Sequence, residues 1–391
     1  MAQRLVRTLG DVGTEKTQMT SKTSTLRDQL DLSGRPAKQA KRAIDRLAVI
    51  GAKDRPVFVG ASPRSGTTLL RTMLNSHPDL AIPRESRFAT NAFGLREYFG
   101  DLSKEDNRQR CVEWIMDRRK SGFANLELDP EEAAARMMGA PGATIGSIVG
   151  TPFAMYAEAT SAKRWGDKRP AYIRHTGRMF SMFPDAQFVH LVRDPRGSAA
   201  SMLKVGWYDG SVPKAAELWV RSIEAAVAAR AALRDDQFYE LTYEDLLANP
   251  EGEIKQLTAW LGLDPAGVSD MLNFHRQNDV PASKYHWRVS EPIDPAAATA
   301  WMTTLDRDAL ALVEHVAGDH MDRLGYQRQS GSIAPPPAML DAYERRRHNK
   351  QPQFDKTRRT YTPGLAAQLT SGQRRHASIV RAAARLSSPL R

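Results

Sequence analysis

The chain has 391 residues, a net charge of +11, 41% hydrophobic residues and a single cysteine, Cys111. That length and apolar content allow one large core or two, and one cysteine excludes an intramolecular disulfide framework. The charge is uneven: residues 1–50 carry +5 and residues 331–391 carry +9, which leaves −3 for residues 51–330. The basic character belongs to the two ends, which argues against a nucleic-acid binder built on the whole surface. Nothing near the N-terminus reads as a secretory signal, and no run reaches the roughly 18 apolar residues of a membrane span. The expectation is a soluble cytoplasmic protein. Cys111, in the run RCVEWIMDRR, reads as a small buried hydrophobe.

Residues 1–36 are polar and turn-rich, and read as loosely ordered. A basic helix is expected over about residues 37–50, with Ala40, Ile44 and Leu47 on one face. Val57-Phe58-Val59 is an apolar run of the kind buried in a parallel sheet. It breaks at Gly60 into a loop with Pro63, Arg64, Ser65 and Gly66, and from Thr67 the spacing of Leu70, Met73 and Leu74 is helical. His77-Pro78 ends that helix, because a residue before proline avoids the helical conformation. A strand, a tight polar loop and a helix leave the first helical N–H groups unpaired at the positive end of the dipole, where phosphate binds well. Thr67 and Thr68 add hydroxyls and Arg64 a permanent charge. The competing reading is a capped surface loop that binds nothing. The stretch departs from the nucleoside-triphosphatase loop G-x-x-x-x-G-K-[ST]. Five residues separate Gly60 from Gly66, and Thr67 stands where the lysine belongs. That departure argues against ATP hydrolysis.

Residues 100–160 read as mainly helical, with candidates at 104–120 and 130–138 and a Pro/Gly break at 139–142. Residues 164–170, RWGDKRP, read as a short polar segment closed by proline. Residues 187–192, QFVHLV, predict a second strand, which runs through Arg193-Asp194-Pro195-Arg196-Gly197 into a helix holding Ala199, Met202 and Leu203. A longer helix is expected over 212–234 with Trp219 and Ile223 buried, a strand over 237–243, and a helix over 244–261 broken at Asn249-Pro250. Alternating strands and helices predict an α/β fold, a parallel sheet covered by helices on both faces. Ligands of such sheets sit beyond the carboxyl ends of the strands. The loops after Val59, Val192 and Tyr243 should therefore face one crevice. Arg193 at a strand end and Ser201 on the next helix could grip a second phosphate, apart from the one at Gly66. The competing reading is a surface arginine and a helix-facing serine.

PRSGTTLL after a strand, GDKRP, LVRDPRGSAAS and LTYEDLLANP, in that order, resemble the sulfotransferases that use PAPS, 3′-phosphoadenosine 5′-phosphosulfate. The spacing is most similar to the tyrosylprotein sulfotransferase branch and its bacterial relatives, over about residues 55–305. The resemblance implies a P-loop-like α/β domain that moves a sulfuryl group from PAPS to a hydroxyl acceptor without a metal. It implies that Arg64, Ser65, Gly66, Thr67 and Thr68 hold the 5′-phosphosulfate, that Arg193 and Ser201 hold the 3′-phosphate, and that Tyr243 lies near the adenine. Ser283 and Lys284, in SKYHWRVSEP, loosely resemble the start of a cofactor-covering loop. Glu85, 21 residues after Arg64, falls where the branch keeps its catalytic base, and Lys168 matches the lysine that assists the leaving group. Without the resemblance, Glu85 would read as a surface partner of Arg84 or Arg87, and His77 and His190 are alternative bases. Val205 replaces a basic residue of the animal enzymes, with Lys204 adjacent. The cysteines that form disulfides in secretory relatives are absent, which fits a cytoplasmic enzyme.

Two other readings compete. One is a metal-dependent P-loop kinase with Asp194 as the Mg²⁺-binding acid, and the other is a scaffold whose basic tails bind an anionic surface. The expected layout is an N-terminal extension over 1–50, a catalytic domain over 51–330 and a basic extension over 331–391 that packs on the surface or makes peripheral membrane contact. The acceptor stays open between a carbohydrate, a glycolipid, a small metabolite and a tyrosine, and the sequence carries no signal of oligomeric state. Residues 86–160 and 206–215 would build its pocket, where Phe88, Phe93, Tyr98, Trp207 and Tyr208 either line it or pack the core.

Overall fold

Five parallel strands organise the computed structural model, which describes residues 55–117, 121–206, 208, 211–276, 291–331 and 333–348. The strands are β1 (Val57–Ala61), β2 (Leu80–Ala81), β3 (Arg164–Lys168), β4 (Gln187–Val192) and β5 (Phe238–Thr242), in the order β2-β3-β1-β4-β5. Short turns aside, the helices are α1 (Thr67–Asn75), α2 (Phe88–Gly94), α3 (Glu105–Met116), α4 (Pro130–Met138), α5 (Ile145–Ala159) and α6 (Thr176–Met182) in the first half. They continue as α7 (Pro195–Leu203), α8 (Val212–Ala232), α9 (Tyr243–Ala248), α10 (Pro250–Leu261), α11 (Arg307–Arg323) and α12 (Pro337–His348). The helix expected over 37–50 and the segment with Ser283 and Lys284 lie outside the described residues.

Alternation along β1 divides the core between the two faces of the sheet. Val57, Val59 and Ala61 bury against Leu70 and Leu74 of α1 and against Leu246 and Ile254 of α9 and α10. Phe58 points the other way, into a cluster with Phe88, Phe153, Tyr172 and Met179. Helices thus cover both faces, as a parallel sheet requires. The start of the basic extension is docked as well. In α12, Tyr343 is buried and Arg347 Nη2 pairs with Glu224 Oε1 of α8 at 2.6 Å. No helix among the described residues is long and apolar enough to cross a membrane.

The segment RWGDKRP, read from the sequence only as a short polar segment, contains β3, wedged between β2 and β1. Its Asp167 and Lys168 are buried yet polar, so the stretch lacks the apolar alternation by which a strand is recognised. Strand β2 has two residues, too few to show any period. The helix expected over 104–120 ends as α3 at Met116, whereas α4 spans 130–138 as expected.

Register decides where the loops emerge. Val59 lies opposite Lys168, Ala61 opposite Leu191, and Val192 opposite Thr242. The carboxyl ends of β1, β3, β4 and β5 therefore share one edge, and the loops that follow face one crevice. Phe58 anchors this register, with its ring 5.9 Å from Trp165, 5.8 Å from Tyr172 and 5.5 Å from Phe183. Phe58→Ala should cost about 3–5 kcal/mol in urea denaturation. A loss below about 1 kcal/mol would show that the sheet does not depend on this ring.

Candidate active site

At the first corner, the chain leaves β1 and turns through Ser62–Gly66 into α1. Arg64 has φ 67° and Gly66 φ 93°. The left-handed conformation costs a non-glycine residue about 1–2 kcal/mol, so the surroundings must hold Arg64 there. Glycine is required at 66 for a second reason: a Cβ there would lie 2.5 Å from the Tyr243 ring. No side chain among the described residues caps α1. Ser65 and Thr67 are buried in the turn, and Thr68 is half-buried.

The second corner meets the first. Arg193, following β4, is anchored by Trp219, whose Nε1 donates to the Arg193 carbonyl at 2.9 Å. Arg193 Nη1 donates to the carbonyl of Arg64 at 3.0 Å, and Nη2 donates to that of Ala297 at 3.2 Å. Arg64 Nε donates to Ser201 Oγ on α7 at 3.1 Å, and the hydroxyls of Ser65 and Ser198 lie 3.4 Å apart. The Arg193 guanidinium stands 4.3 Å over the Tyr243 ring, a cation–π contact, so Tyr243 is clasped between Arg193 and Gly66. Gly197 leaves room for the guanidinium, since a Cβ there would lie 2.8 Å from Arg193 Nε. That Nε is buried with no hydrogen-bond partner among the described residues. Burial, and then the nearby charge of Arg193, pull the Arg64 guanidinium below its ordinary range.

Asp194, weighed as a magnesium ligand, is committed elsewhere. It caps α7 by accepting from Arg196 N at 2.8 Å, and its carboxylate takes Arg196 Nε at 2.9 Å and Nη2 at 2.6 Å. Arg196 is itself buried and also reaches Glu314 Oε1 at 2.7 Å. No cluster of three or more His, Cys, Asp or Glu among the described residues could hold a metal.

Across the edge from the arginines, Glu85 Oε2 lies 3.2 Å from Lys168 Nζ, with side chains 37% and 7% exposed respectively. Arg84 pairs with Glu127 at 2.7 Å, so Glu85 is not spent on it. The backbone around Glu85 is fastened on both sides: Asn125 Nδ2 donates to the Glu85 carbonyl at 2.8 Å and Arg87 N donates to the Ser121 carbonyl at 2.7 Å. Beneath it, Ser86 Oγ donates to Asp167 Oδ2 at 2.6 Å.

The alternative bases are buried. His77 is buried at the end of α1, accepting at Nδ1 from Asp79 N at 3.0 Å, with Nε2 2.8 Å from the Asp264 carbonyl. His190 is buried in mid-strand with Nδ1 2.7 Å from Glu240 Oε2. Cys111 is buried and its thiol is pushed up to about 12 by desolvation, as befits an inert hydrophobe. Val205 lies in a core cluster, and Lys204 Nζ donates to Thr304 Oγ1 at 3.0 Å. Phe88 stacks on Phe153 at 4.8 Å within the core, Phe93 is buried beneath Arg96, and Tyr208 OH donates to the Ser211 carbonyl at 2.6 Å. Trp207 lies outside the described residues.

Sequence reasoning overlooked Ser198, the anchoring bond of Trp219 and the buried Asp167. A signal existed for the last, since Asp167 directly precedes Lys168.

Residues 56–266 match the model of the sulfotransferase family, more than half of the chain. Protein-tyrosine sulfotransferase A of Caenorhabditis elegans is 23% identical over 283 residues, 69% of this chain and 67% of that protein. Nodulation protein NoeE of Sinorhizobium fredii is 27% identical over 325 residues, 74% of this chain and 71% of the relative. Among solved structures, the sulfotransferase domain of the Synechococcus PCC 7002 olefin synthase covers 72% of this chain and 98% of its own, at 23% identity and a TM-score of 0.48. The parallel sheet, the two interlocked strand–helix corners and the family match agree: this chain belongs to the sulfotransferase family.

Proposed function

We propose that the protein transfers the sulfuryl group of PAPS to a hydroxyl acceptor, with Glu85 as base and Arg64 and Lys168 stabilising the departing phosphate. The observation that carries this reading is the interlock of the two corners: Arg193 bonded to the Arg64 carbonyl and Arg64 bonded to Ser201. Two guanidinium groups in one crevice suit a ligand phosphorylated at two separate positions. The buried, partnerless Arg193 Nε and the uncapped start of α1 fit such a ligand, because each offers donors that an anion can take up.

In this assignment Ser65, Gly66, Thr67 and Thr68 bind the 5′-phosphosulfate with Arg64, while Arg193 and Ser201 bind the 3′-phosphate. Tyr243, held beneath Arg193, is proposed to lie near the adenine and to position that arginine. Ser283 and Lys284 are proposed to cover the nucleotide. The acceptor oxygen attacks sulfur in line, its bond to sulfur forms as the sulfur–oxygen bond to the 5′-phosphate breaks, and its proton passes to Glu85. Sulfuryl transfer shares the loose, charge-shifting character of phosphoryl transfer, so cations on the leaving oxygen do most of the work. The 3.2 Å between Glu85 and Lys168 brings base and cation to one spot. The names of the relatives suggest tyrosyl acceptors, and the proposal here extends to hydroxyl acceptors as a class.

Incubation with PAPS and a panel of a phenol, a tyrosyl peptide and a sugar, read as adenosine 3′,5′-bisphosphate released, tests the activity. Glu85→Gln should slow transfer about 100-fold or more while calorimetric affinity for adenosine 3′,5′-bisphosphate is unchanged. Wild-type transfer by that variant would remove Glu85 from the base role. Arg193→Ala should weaken adenosine 3′,5′-bisphosphate about 10- to 100-fold and leave AMP nearly unaffected. Equal losses for both nucleotides would break the 3′-phosphate assignment.

A further inference from the structure

Asp167 is fully buried in β3, and a carboxylate taken out of water is costly unless its oxygens are satisfied. Ser86 Oγ donates to Oδ2 at 2.6 Å, Tyr172 OH donates to the same oxygen, and the backbone N–H of Lys168 donates to Oδ1 at 2.9 Å. None of these donors is a cation. A strand residue needed only for packing would be cheaper as an apolar side chain of similar size. The donors come from three particular places. Ser86 adjoins Glu85, Lys168 carries the ammonium that faces Glu85, and Tyr172 ties the hub to the core through its contact with Phe58.

We propose that Asp167 is the positioning residue that sets the separation of Glu85 and Lys168. This rests on the roles assigned to those two residues under Proposed function. The carboxylate adjoins Lys168 in the chain and accepts from its N–H, and it also accepts from Ser86, the neighbour of Glu85, so it acts as a spacer across the strand edge. Chemistry explains why the residue is aspartate. Donors approach both oxygens, whereas asparagine keeps one acceptor oxygen. With that oxygen on the Lys168 N–H, its NH₂ group would face the Ser86 and Tyr172 hydroxyls and force them to turn from donors to acceptors. Burial pushes the Asp167 carboxyl upward against the pull of the Ser86 and Tyr172 donors, so the hub is sensitive to losing either one.

The test uses the full chain, PAPS as donor and 4-methylphenol as acceptor probe, with adenosine 3′,5′-bisphosphate release for kcat and calorimetry for its affinity. Asp167→Asn should lower kcat about 100-fold with the affinity unchanged. Adding Ser86→Ala to Asp167→Asn should slow the enzyme no further, because Ser86 acts through the same carboxylate. Wild-type kcat in Asp167→Asn, or a loss of affinity in step with kcat, overturns the proposal. If Asp167→Asn does not fold, Ser86→Ala and Tyr172→Phe, each removing one donor, carry the test. A slowed kcat at unchanged affinity in either supports the spacer, and wild-type kcat in both overturns it. Glu85→Gln is measured alongside. Full activity in Glu85→Gln overturns the base assignment, whatever Asp167→Asn does. An inactive Glu85→Gln beside a fully active Asp167→Asn overturns the positioning alone.

Discussion

The bond from Arg193 Nη1 to the carbonyl of Arg64 joins two strand–helix corners that are 129 residues apart in the chain. Several features of the two corners make room for this contact. Arg64 must take a left-handed backbone, Gly66 must lack a Cβ to admit Tyr243, and Gly197 must leave space for the guanidinium. Trp219 then holds the Arg193 carbonyl from α8. Bringing two cations together inside a partly desolvated crevice is unfavourable, and the depressed Arg64 guanidinium registers that cost. The fold sustains it through packing and hydrogen bonds made elsewhere. An anion entering such a site meets donors that need no reorganisation, the condition under which electrostatic stabilisation is strongest.

The sheet supplies the precision. In a parallel sheet, a register shift of one residue turns every side chain to the opposite face. The ring of Phe58, wedged among Trp165, Tyr172 and Phe183, makes such a shift costly. The same register sets Val59 beside Lys168. A packing constraint at the middle of β1 therefore determines where a charged group stands at the edge of β3. Tyr172 takes part in both, with its ring on Phe58 and its hydroxyl on Asp167.

What could be read from the sequence follows from where each residue finds its partners. β1, β4 and β5 are legible because each carries apolar residues that mark a buried strand without reference to their distant partners. The turn at Arg64 and the corner at Arg193 are legible for a related reason, since each interrupts an apolar strand with glycine, serine and arginine. β3 hides because Asp167 and Lys168 are satisfied by Ser86 and Glu85, 81 and 83 residues away, and no local pattern records such partners. The clasp of Tyr243 between Gly66 and Arg193 is hidden in the same way. Glu85 stands on an exposed-looking stretch of charged residues, where only the family resemblance singles it out.

The two halves of the crevice differ in how they are built, and the difference matches the work proposed for them. The side holding Arg64, Arg193, Ser65 and Ser198 is interlocked and mostly buried, suited to a ligand always seated in one way. On the other side the Glu85 side chain itself is over a third exposed, as the base proposed there must be to reach an acceptor arriving from solvent. Phe88, one of the aromatics read as lining the pocket or packing the core, is consumed in a continuous aromatic stack with Phe153 and Trp165, with ring separations of 4.8 Å and 5.2 Å. An exposed carboxylate on a loop would ordinarily wander. Here the wandering is suppressed from below, by Asn125 on the Glu85 carbonyl and by Ser86 on the buried Asp167. The burial of one carboxylate thus gives a fixed position to another that must remain open to water, and the polarity that conceals β3 from sequence reading is the feature that lets it do so.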